Sequence, residues 1–336
     1  MFYNFIMAYR GVFLSNNTHD FNRVFGAGRR TQIEARVSCH PQVISGADIE
    51  KFKDELQGVE YAFSTWGMPA LSCGVIRKCL PSLKAVFYAA GSVQAFARPF
   101  FENGVRIFSA WRANAIPVAE TVFAQIVLAH KGFFKAVRGD GCKHGIIQKY
   151  PGNYRTKTGL IACGSIGQLV AEKLKTIDTE VLVYDPFISS KTLESLNAKR
   201  AELTELFGTC DVISNHLPDL PQTVGMLKYN LFELMKKTAT FINSGRGRQV
   251  VEKDLAKAMR RERGRTAILD VTYPEPPSIF SPLRRLSNVI LTPHMNGSTG
   301  LEVLRMADYM IAELDLLLVN KPPQHEVTLE MLEKMA

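Results

Sequence analysis

Short apolar runs that end at small or charged residues recur through the middle of the chain and alternate with amphipathic stretches. This alternation predicts an α/β fold in which parallel strands joined by helices form a doubly wound sheet. Helices are predicted at 118–137, 165–175, 230–237 and 252–261. Such a sheet binds ligands at the carboxyl ends of its strands. The residues that follow each apolar run are therefore the candidates for chemistry.

The N-terminal third repeats the pattern more loosely. Its short apolar runs predict a second, smaller α/β domain, with a hinge near 114–118 and another near 298–302. The predicted strands of this domain lie at 11–14, 61–64, 83–88 and 106–108.

A strand, a glycine-rich turn and a helix are predicted in succession around Gly164. Gly164 lets the backbone approach a pyrophosphate, and Gly167 lets the helix pack close to the sheet. The turn residues Ser165 and Ile166 open the helix, whose N-terminus supplies free N–H groups to phosphates. Ala162 occupies the first position of the Gly-x-Gly-x-x-Gly pattern, so a methyl group stands where the tightest turn is expected. We expect a slightly opened turn or weaker binding.

Asp185 ends the next predicted strand, eighteen positions after Gly167. Its carboxylate can accept both ribose hydroxyls of an adenosine and repels a 2′-phosphate. Because no arginine follows it immediately, the sequence favours NAD over NADP. A lone Gly-x-x-Gly is also compatible with an ordinary strand-to-helix turn, but the placement of Asp185 favours a dinucleotide site.

Three residues in the last third of the chain suit the chemistry of a 2-oxo acid. Arg246 follows an apolar run, Glu275 lies in a proline-flanked turn, and His294 follows Thr-Pro. A guanidinium can hold a carboxylate and polarise a carbonyl, whereas an imidazole can donate and accept a proton. Taken alone, Arg246 is more typical of a surface or cap residue, Glu275 of a solvated turn and His294 of a loop cap.

These motifs occur in the order found in the D-isomer-specific 2-hydroxyacid dehydrogenase family, which the chain resembles over roughly residues 85–305. Two further segments carry the resemblance. One is the turn His216-Leu217-Pro218, similar to a family turn near the adenosine. The other is the loop Gly91-Ser92-Val93, similar to the loop whose backbone N–H groups hold the substrate carboxylate.

The resemblance implies a role for each candidate. NADH would deliver hydride to C2 of a 2-oxo acid, yielding a 2-hydroxy acid of D configuration. His294 would be the acid and base, Glu275 would orient its ring and favour its charged form, and Arg246 would bind the carboxylate and carbonyl. Asp270 would bind the nicotinamide carboxamide. Ser244 and Gly297 would complete the cofactor site.

The resemblance also implies a Rossmann nucleotide domain at 118–301, inserted in a smaller flavodoxin-like α/β substrate domain at 1–117 and 302–336. A homodimer through the nucleotide domain, by way of the 118–137 helix, is a further implication. Gly245, Arg248 and Asn296 depart from residues usual in the family. Of these, Asn296 could add a hydrogen bond to the substrate.

Two alternatives remain at this stage. A non-catalytic NAD-binding regulator would share the fold, but it has no need for a matched acid, carboxylate and clamp. A relative that oxidises formate would carry an amide where this chain has Glu275, which disfavours that reaction.

Composition agrees with a two-domain globular enzyme: 336 residues, 46% of them apolar and 22% charged. The formal net charge of +9 suggests attraction to acidic ligands without indicating nucleic acid. The densest basic cluster is expected at a solvated helix end, where cations are favoured. Its members are Arg260, Arg261, Arg263 and Arg265.

The six cysteines form no Cys-x-x-Cys pair and show no spacing typical of a metal site. We expect them to be reduced, with Cys163 a small buried filler, and we expect no metal. No apolar run approaches the ~18 residues that a membrane span needs. The first ten residues also lack the basic start of a signal peptide. The sequence therefore predicts a cytoplasmic protein.

Overall fold

The computed structural model describes residues 9–140 and 148–334. They form two compact units: the described parts of Met1–Asn114 and Ser298–Ala336 make the first, and Ala115–Gly297 makes the second. The assignment of substrate and cofactor to separate units stays a prediction. Most of the segment considered as a leader, and Cys142, lie outside the described residues.

The first unit contains a six-stranded sheet in the order β13-β5-β4-β3-β1-β2. Strands β1 to β5 are parallel in flavodoxin-like order, and β13 pairs antiparallel with β5. The strands are β1 (Arg10–Leu14), β2 (Ser38–Ile44), β3 (Tyr61–Ser64), β4 (Ala85–Tyr88), β5 (Arg106–Ser109) and β13 (Glu326–Val327), and the helices are α1 (Thr18–Phe25), α2 (Arg29–Glu34), α3 (Cys73–Cys79), α4 (Ala97–Glu102) and α12 (Glu302–Leu318).

Aromatic side chains from neighbouring strands form the centre of this unit. Phe87 stacks on Phe63 and on Phe108 with ring centroids 5.2 and 4.9 Å apart, and all three side chains are fully buried. The apolar strands β1, β3, β4 and β5 agree with the predicted ones to within two residues. Strand β2 was not predicted, because it is a mostly polar edge strand that contains Pro41.

Helix α12 brings the end of the chain back to the first unit, as the resemblance implied. Its buried face includes Met306 and Met310, which belong to the same core as β4. On the outer side, Arg29 and Arg36 of the α2 region form two-nitrogen ion pairs with Asp308 and Asp315.

The second unit is a seven-stranded, fully parallel sheet in the order β12-β11-β10-β9-β6-β7-β8. This is the doubly wound Rossmann order with one added strand, which confirms the predicted fold class. The strands are β6 (Tyr154–Ile161), β7 (Asp178–Tyr184), β8 (Ala198–Arg200), β9 (Val212–Asn215), β10 (Thr240–Asn243), β11 (Thr266–Leu269) and β12 (Val289–Leu291), and the helices are α5 (Trp111–His130), α6 (Phe133–Lys135), α7 (Ser165–Leu174), α8 (Ser190–Ser195), α9 (Leu203–Thr209), α10 (Tyr229–Phe232) and α11 (Glu252–Arg261).

Two predicted helix bounds are wrong. Helix α5 begins at Trp111 rather than at 118 and contains Pro117, because residues on both sides of the proline, Ala113 and Val118, are buried in cores. The boundary between the two units falls at Asn114–Ala115, inside this helix and within the predicted hinge. Helix α10 ends at Phe232 rather than at 237. The carbonyls of the residues that follow it accept hydrogen bonds from Arg265.

Arg265 was predicted to lie at a solvated helix end, and for this residue the prediction is wrong. It is only 7% exposed, and its guanidinium donates to the main-chain oxygens of Glu233, Met235 and Lys236. Burial lowers the pKa of Arg265, but an arginine remains charged at any physiological pH. It therefore joins the end of α10 to the start of β11.

None of the helices within residues 9–140 and 148–334 is both long and apolar enough to cross a bilayer. Within the same ranges, no three His, Cys, Asp or Glu side chains gather as a metal site.

Candidate active site

The candidate residues of the second unit lie at the carboxyl ends of three neighbouring parallel strands. Arg246 follows β10, Asp270 follows β11 and His294 follows β12, and these strands are adjacent in the sheet. In-register pairing of Asn243 with Leu269 and of Leu269 with Leu291 brings the three strand ends level. The fold thus gathers residues that are far apart in sequence.

His294 and Glu275 form a hydrogen-bonded pair. Nδ1 of His294 lies 2.5 Å from Oε1 of Glu275, and the two side chains are 47% and 40% exposed. This contact engages Nδ1 and leaves Nε2 as the ring nitrogen that can exchange a proton with a ligand. His294 has a φ of 53°, in the left-handed region that side chains rarely adopt.

The buried Asp270 carboxylate fixes the loop that carries His294. It is 3% exposed and accepts hydrogen bonds from Thr292 Oγ1 at 2.6 Å, Met295 N at 2.8 Å and Asn296 N at 3.0 Å. Its main-chain oxygen accepts from His294 N at 3.0 Å. Binding of the nicotinamide carboxamide by Asp270 stays a prediction, and a carboxamide would be a fourth donor to a carboxylate that already has three.

Asn296 does not fulfil the expectation of a substrate contact. Its side chain is 2% exposed, and Nδ2 donates to Ser244 Oγ at 3.0 Å. Gln125 Nε2 approaches Asn296 Oδ1 at 3.4 Å. The Asn296 amide is therefore directed into the protein. Its hydrogen bond to Ser244 joins the residues that follow β10 to those that follow β12.

Arg246 has its backbone held on both sides. Its N–H donates to Gln249 Oε1 at 3.0 Å, and its carbonyl accepts from Asn243 Nδ2 at 3.3 Å. The guanidinium is partly exposed and donates from Nη1 to Gly245 O at 2.9 Å. Gly247 must be glycine, because a Cβ there would lie 2.0 Å from the carbonyl carbon of Thr272.

The glycine-rich turn has the form that a pyrophosphate requires. Helix α7 begins at Ser165 without a side-chain cap, so its first N–H groups are available to an anion. A Cβ on Gly164 would meet nothing within 4 Å, whereas a Cβ on Gly167 would lie 2.5 Å from Ala162 O. The turn thus has open space at Gly164 and close packing at Gly167, as a bound dinucleotide needs.

Ala162 adopts a φ of 65°. An L residue in this region is strained because its Cβ crowds the following carbonyl oxygen. The turn keeps its tight form despite the methyl group, and Ala162 N donates to Tyr184 O at 2.8 Å. Of the two expected effects, an opened turn is therefore not seen.

Asp185 stands at the end of β7, as predicted, but its oxygens already have partners. Oδ2 accepts from Cys163 N, and Oδ1 accepts from Phe187 N and Ile188 N. A carboxylate offers about four acceptor positions, so one remains. Acceptance of both ribose hydroxyls, which stays a prediction, would require one of these backbone donors to be released.

An arginine lies beside Asp185 that the local sequence did not reveal. Arg200 at the end of β8 donates to the main-chain oxygens of Asp185 and Ile188. Arg200 lies on β8, which pairs with β7. Its position beside Asp185 therefore depends on the strand order of the sheet. Because its guanidinium is engaged by these two main-chain oxygens, Arg200 does not replace Asp185, and NAD remains the favoured cofactor.

His216 directly follows β9, at the carboxyl edge of the sheet. Both of its ring nitrogens are buried and have no hydrogen-bond partner. Burial lowers the pKa of His216 to about 4, so the ring is neutral at physiological pH. Leu217 and Pro218 present their carbonyls to Gln249 Nε2 at 2.7 and 2.9 Å. Cofactor contacts of these three residues stay predictions.

The predicted substrate loop lies in the first unit. Val93 is fully buried in the core, main chain included, and its predicted contact with a carboxylate stays a prediction. Gly91 and Ser92 are partly exposed, and the carbonyl of Gly91 accepts a hydrogen bond from Ser109 Oγ at 2.6 Å. The carbonyl is thus turned to the protein.

Cys163 is a buried filler, as expected. It is 1% exposed, and burial raises the pKa of its thiol to about 12. The thiol is therefore protonated and unreactive at neutral pH. The five cysteines of the described ranges are free.

Residues 137–296 match the family model described as "D-isomer specific 2-hydroxyacid dehydrogenase, NAD binding domain". The chain belongs to the D-isomer specific 2-hydroxyacid dehydrogenase family. The matched region is an NAD binding domain, which confirms the predicted cofactor and covers the glycine-rich turn, Asp185, Arg246, Glu275 and His294.

Curated relatives support the same family. The chain is 31% identical over 234 residues to D-3-phosphoglycerate dehydrogenase of Archaeoglobus fulgidus, a match that covers 69% of this chain and 44% of that protein. It is 33% identical over 282 residues to the enzyme of that name from Haemophilus influenzae, covering 75% of this chain and 66% of the relative. The chain thus spans less than half of the first of these family members.

Two solved structures share the fold over nearly the whole chain. D-mandelate dehydrogenase of Rhodotorula graminis superposes on this chain with a TM-score of 0.77 at 19% identity. The match covers 95% of this chain and 97% of that one. A phosphoglycerate oxidoreductase from Rhizobium etli gives a TM-score of 0.79 at 18% identity, covering 96% and 99%. These likenesses show the fold alone.

We predict that Ala162→Gly raises the free energy of unfolding by about 1 kcal/mol, because glycine adopts a positive φ without strain. The midpoint of thermal unfolding should rise by about 2–4 °C. Ala27, with a φ of 48° in an exposed turn, is a matched position outside the nucleotide turn, and Ala27→Gly should give a similar gain. A loss of stability in Ala162→Gly would show that the turn is not strained there.

The burial of His216 predicts a pH-dependent stability. The unfolded chain takes up a proton near the ordinary pKa of 6.5, whereas the folded chain resists protonation down to about 4. The stabilising contribution is therefore complete above about pH 6.5 and is lost as pH falls towards 4. Urea unfolding of His216→Leu should show a stability that rises relative to the wild type as pH falls through this window.

His19, whose side chain is 81% exposed, is the control. His19→Leu should show no growing difference from the wild type over the same pH range. A stability difference between His216→Leu and the wild type that stays constant from pH 7 to pH 4 would contradict the prediction.

Proposed function

We propose that the chain is an NAD-dependent D-2-hydroxyacid dehydrogenase that interconverts a 2-oxo acid and the corresponding 2-hydroxy acid. The observation that carries this proposal is the contact of 2.5 Å between His294 Nδ1 and Glu275 Oε1, on a loop held by Asp270. Family membership and the NAD binding domain support it. A regulator that only binds NAD would not require a braced histidine–carboxylate pair.

The bound cofactor supplies the hydride that reaches C2 of the 2-oxo acid. Protonated His294 donates a proton from Nε2 to the oxygen on which charge develops, so that a hydroxyl forms. Glu275 accepts the hydrogen bond from Nδ1–H, which fixes the tautomer and stabilises the positive ring. In the reverse direction neutral His294 removes the hydroxyl proton.

Arg246 binds the carboxylate and the carbonyl oxygen of the 2-oxo acid. Its guanidinium is suited to two parallel hydrogen bonds, and its backbone is fixed by Gln249 and Asn243. The positive charge stabilises the negative charge that builds on oxygen and orients the reacting carbon.

A homodimer through α5 and a cytoplasmic location complete the proposal. The homodimer is implied by the family resemblance, whereas the location is the prediction made from the sequence. Light scattering of the purified protein would test the homodimer.

The activity test measures NADH oxidation with a panel of 2-oxo acids that includes glyoxylate, hydroxypyruvate, pyruvate and phosphohydroxypyruvate, together with bulkier aromatic ones. We expect turnover with at least one, and a decrease of ~10²–10⁴-fold in His294→Ala, as is typical when a general acid is removed. His19→Ala, at an exposed histidine of the other unit, should retain full turnover. A His294→Ala variant with most of its turnover would exclude the role given to His294.

Glu275→Gln tests this pair separately. The amide preserves the shape of the side chain but removes the negative charge beside the ring. We expect kcat for reduction to fall, because the positive ring that donates the proton is then less stabilised. An unchanged kcat would show that Glu275 does not assist His294.

A further inference from the structure

A hydrogen-bonded network of three buried amides lies beneath the turns at the ends of β9 and β10. Asn215, Asn243 and Gln249 are each at most 1% exposed. Asn215 Nδ2 donates to Asn243 Oδ1 at 2.9 Å and to Gln249 Oε1 at 2.7 Å. Buried amides are costly unless they are hydrogen-bonded, so this cluster depends on its internal contacts.

Gln249 uses its full hydrogen-bonding capacity and divides it between two turns. Its Nε2 donates to Leu217 O and Pro218 O, in the turn predicted to contact the adenosine. Its Oε1 accepts from Arg246 N as well as from Asn215. One planar amide group thus connects the cofactor turn at 216–218 with the backbone of the substrate-binding arginine.

Gly245 provides the space for this amide. A Cβ at position 245 would lie 2.6 Å from Gln249 Oε1, 2.9 Å from Asn215 Nδ2 and 3.1 Å from Leu217 O. Glycine is needed here for close approach, since its φ is not positive. Gly245 and Gln249 therefore form one structural feature, the buried amide and the gap that admits it.

We propose that Gln249 is a positioning residue that holds the cofactor turn and Arg246 in one fixed arrangement. Rotation of the amide would release both turns, because the same rigid group carries the donors and the acceptor. This role rests on one part of the proposed function, the binding of the substrate carboxylate by Arg246, so the test measures the binding of each ligand apart from turnover.

The first variant is Gln249→Met, which keeps the length of the side chain and removes its hydrogen bonds. NADH affinity is measured by NADH fluorescence, and the affinity for oxamate, an unreactive analogue of a 2-oxo acid, is measured on the NADH-saturated protein. We expect both dissociation constants to rise by about three- to tenfold, the effect of losing one or two hydrogen bonds.

Asn288→Leu is the matched control. Asn288 is 4% exposed, and its Nδ2 also donates to two main-chain oxygens, those of Met259 and Arg265. It touches neither turn. Asn288→Leu should lower the thermal unfolding midpoint as Gln249→Met does, with both dissociation constants within twofold of the wild type.

Gly245→Ala is the second variant and retains Gln249. Its added methyl group displaces the amide, so the same two dissociation constants should rise even if Gln249→Met fails to fold. Unchanged values for either ligand in a folded variant would overturn the proposal, since Gln249 would then not join the two turns. If no 2-oxo acid is turned over but both affinities change as stated, the proposed reaction fails and the role of Gln249 stands.

Discussion

The buried carboxylate of Asp270 is the constraint on which the candidate active site depends. Three donors from the loop after β12 converge on it, and a charge buried to this extent is stable only when such donors surround it. The loop cannot relax without leaving the charge unsolvated. His294 is thereby held with its Nδ1 against Glu275 and with a backbone conformation that it would not adopt alone.

The strands that carry chemistry could be predicted from sequence because each is a short apolar run followed by an abrupt polar residue. Arg246, Asp270 and His294 follow such runs, and parallel topology brings the ends of neighbouring strands together. The family resemblance, more than periodicity, supplied their roles. The edge strand β2 escaped prediction because its polar residues and Pro41 resemble those of a loop.

Long-range polar contacts escaped prediction for a different reason. Arg200, Arg265 and Gln249 each bond to main-chain oxygens that lie from 12 to 32 residues away in sequence. A sequence pattern does not encode such partners, because they are set by strand order and by the course of each turn. Gln249 did leave one signal in its neighbour Gly245, whose departure from the family pattern makes room for the amide.

Two non-glycine residues in the left-handed region, Ala162 and His294, stand at the carboxyl edge of the same sheet. Each violates a local rule that most residues obey. Positions of this kind persist when the surrounding contacts determine the backbone more strongly than its intrinsic preference does. Tertiary bonds do so here: Ala162 N bonds to Tyr184 O on the adjacent strand, and His294 N bonds to Asp270 O. The sheet therefore fixes the backbone at both positions, one in the turn predicted to hold the cofactor and one in the loop proposed to transfer a proton.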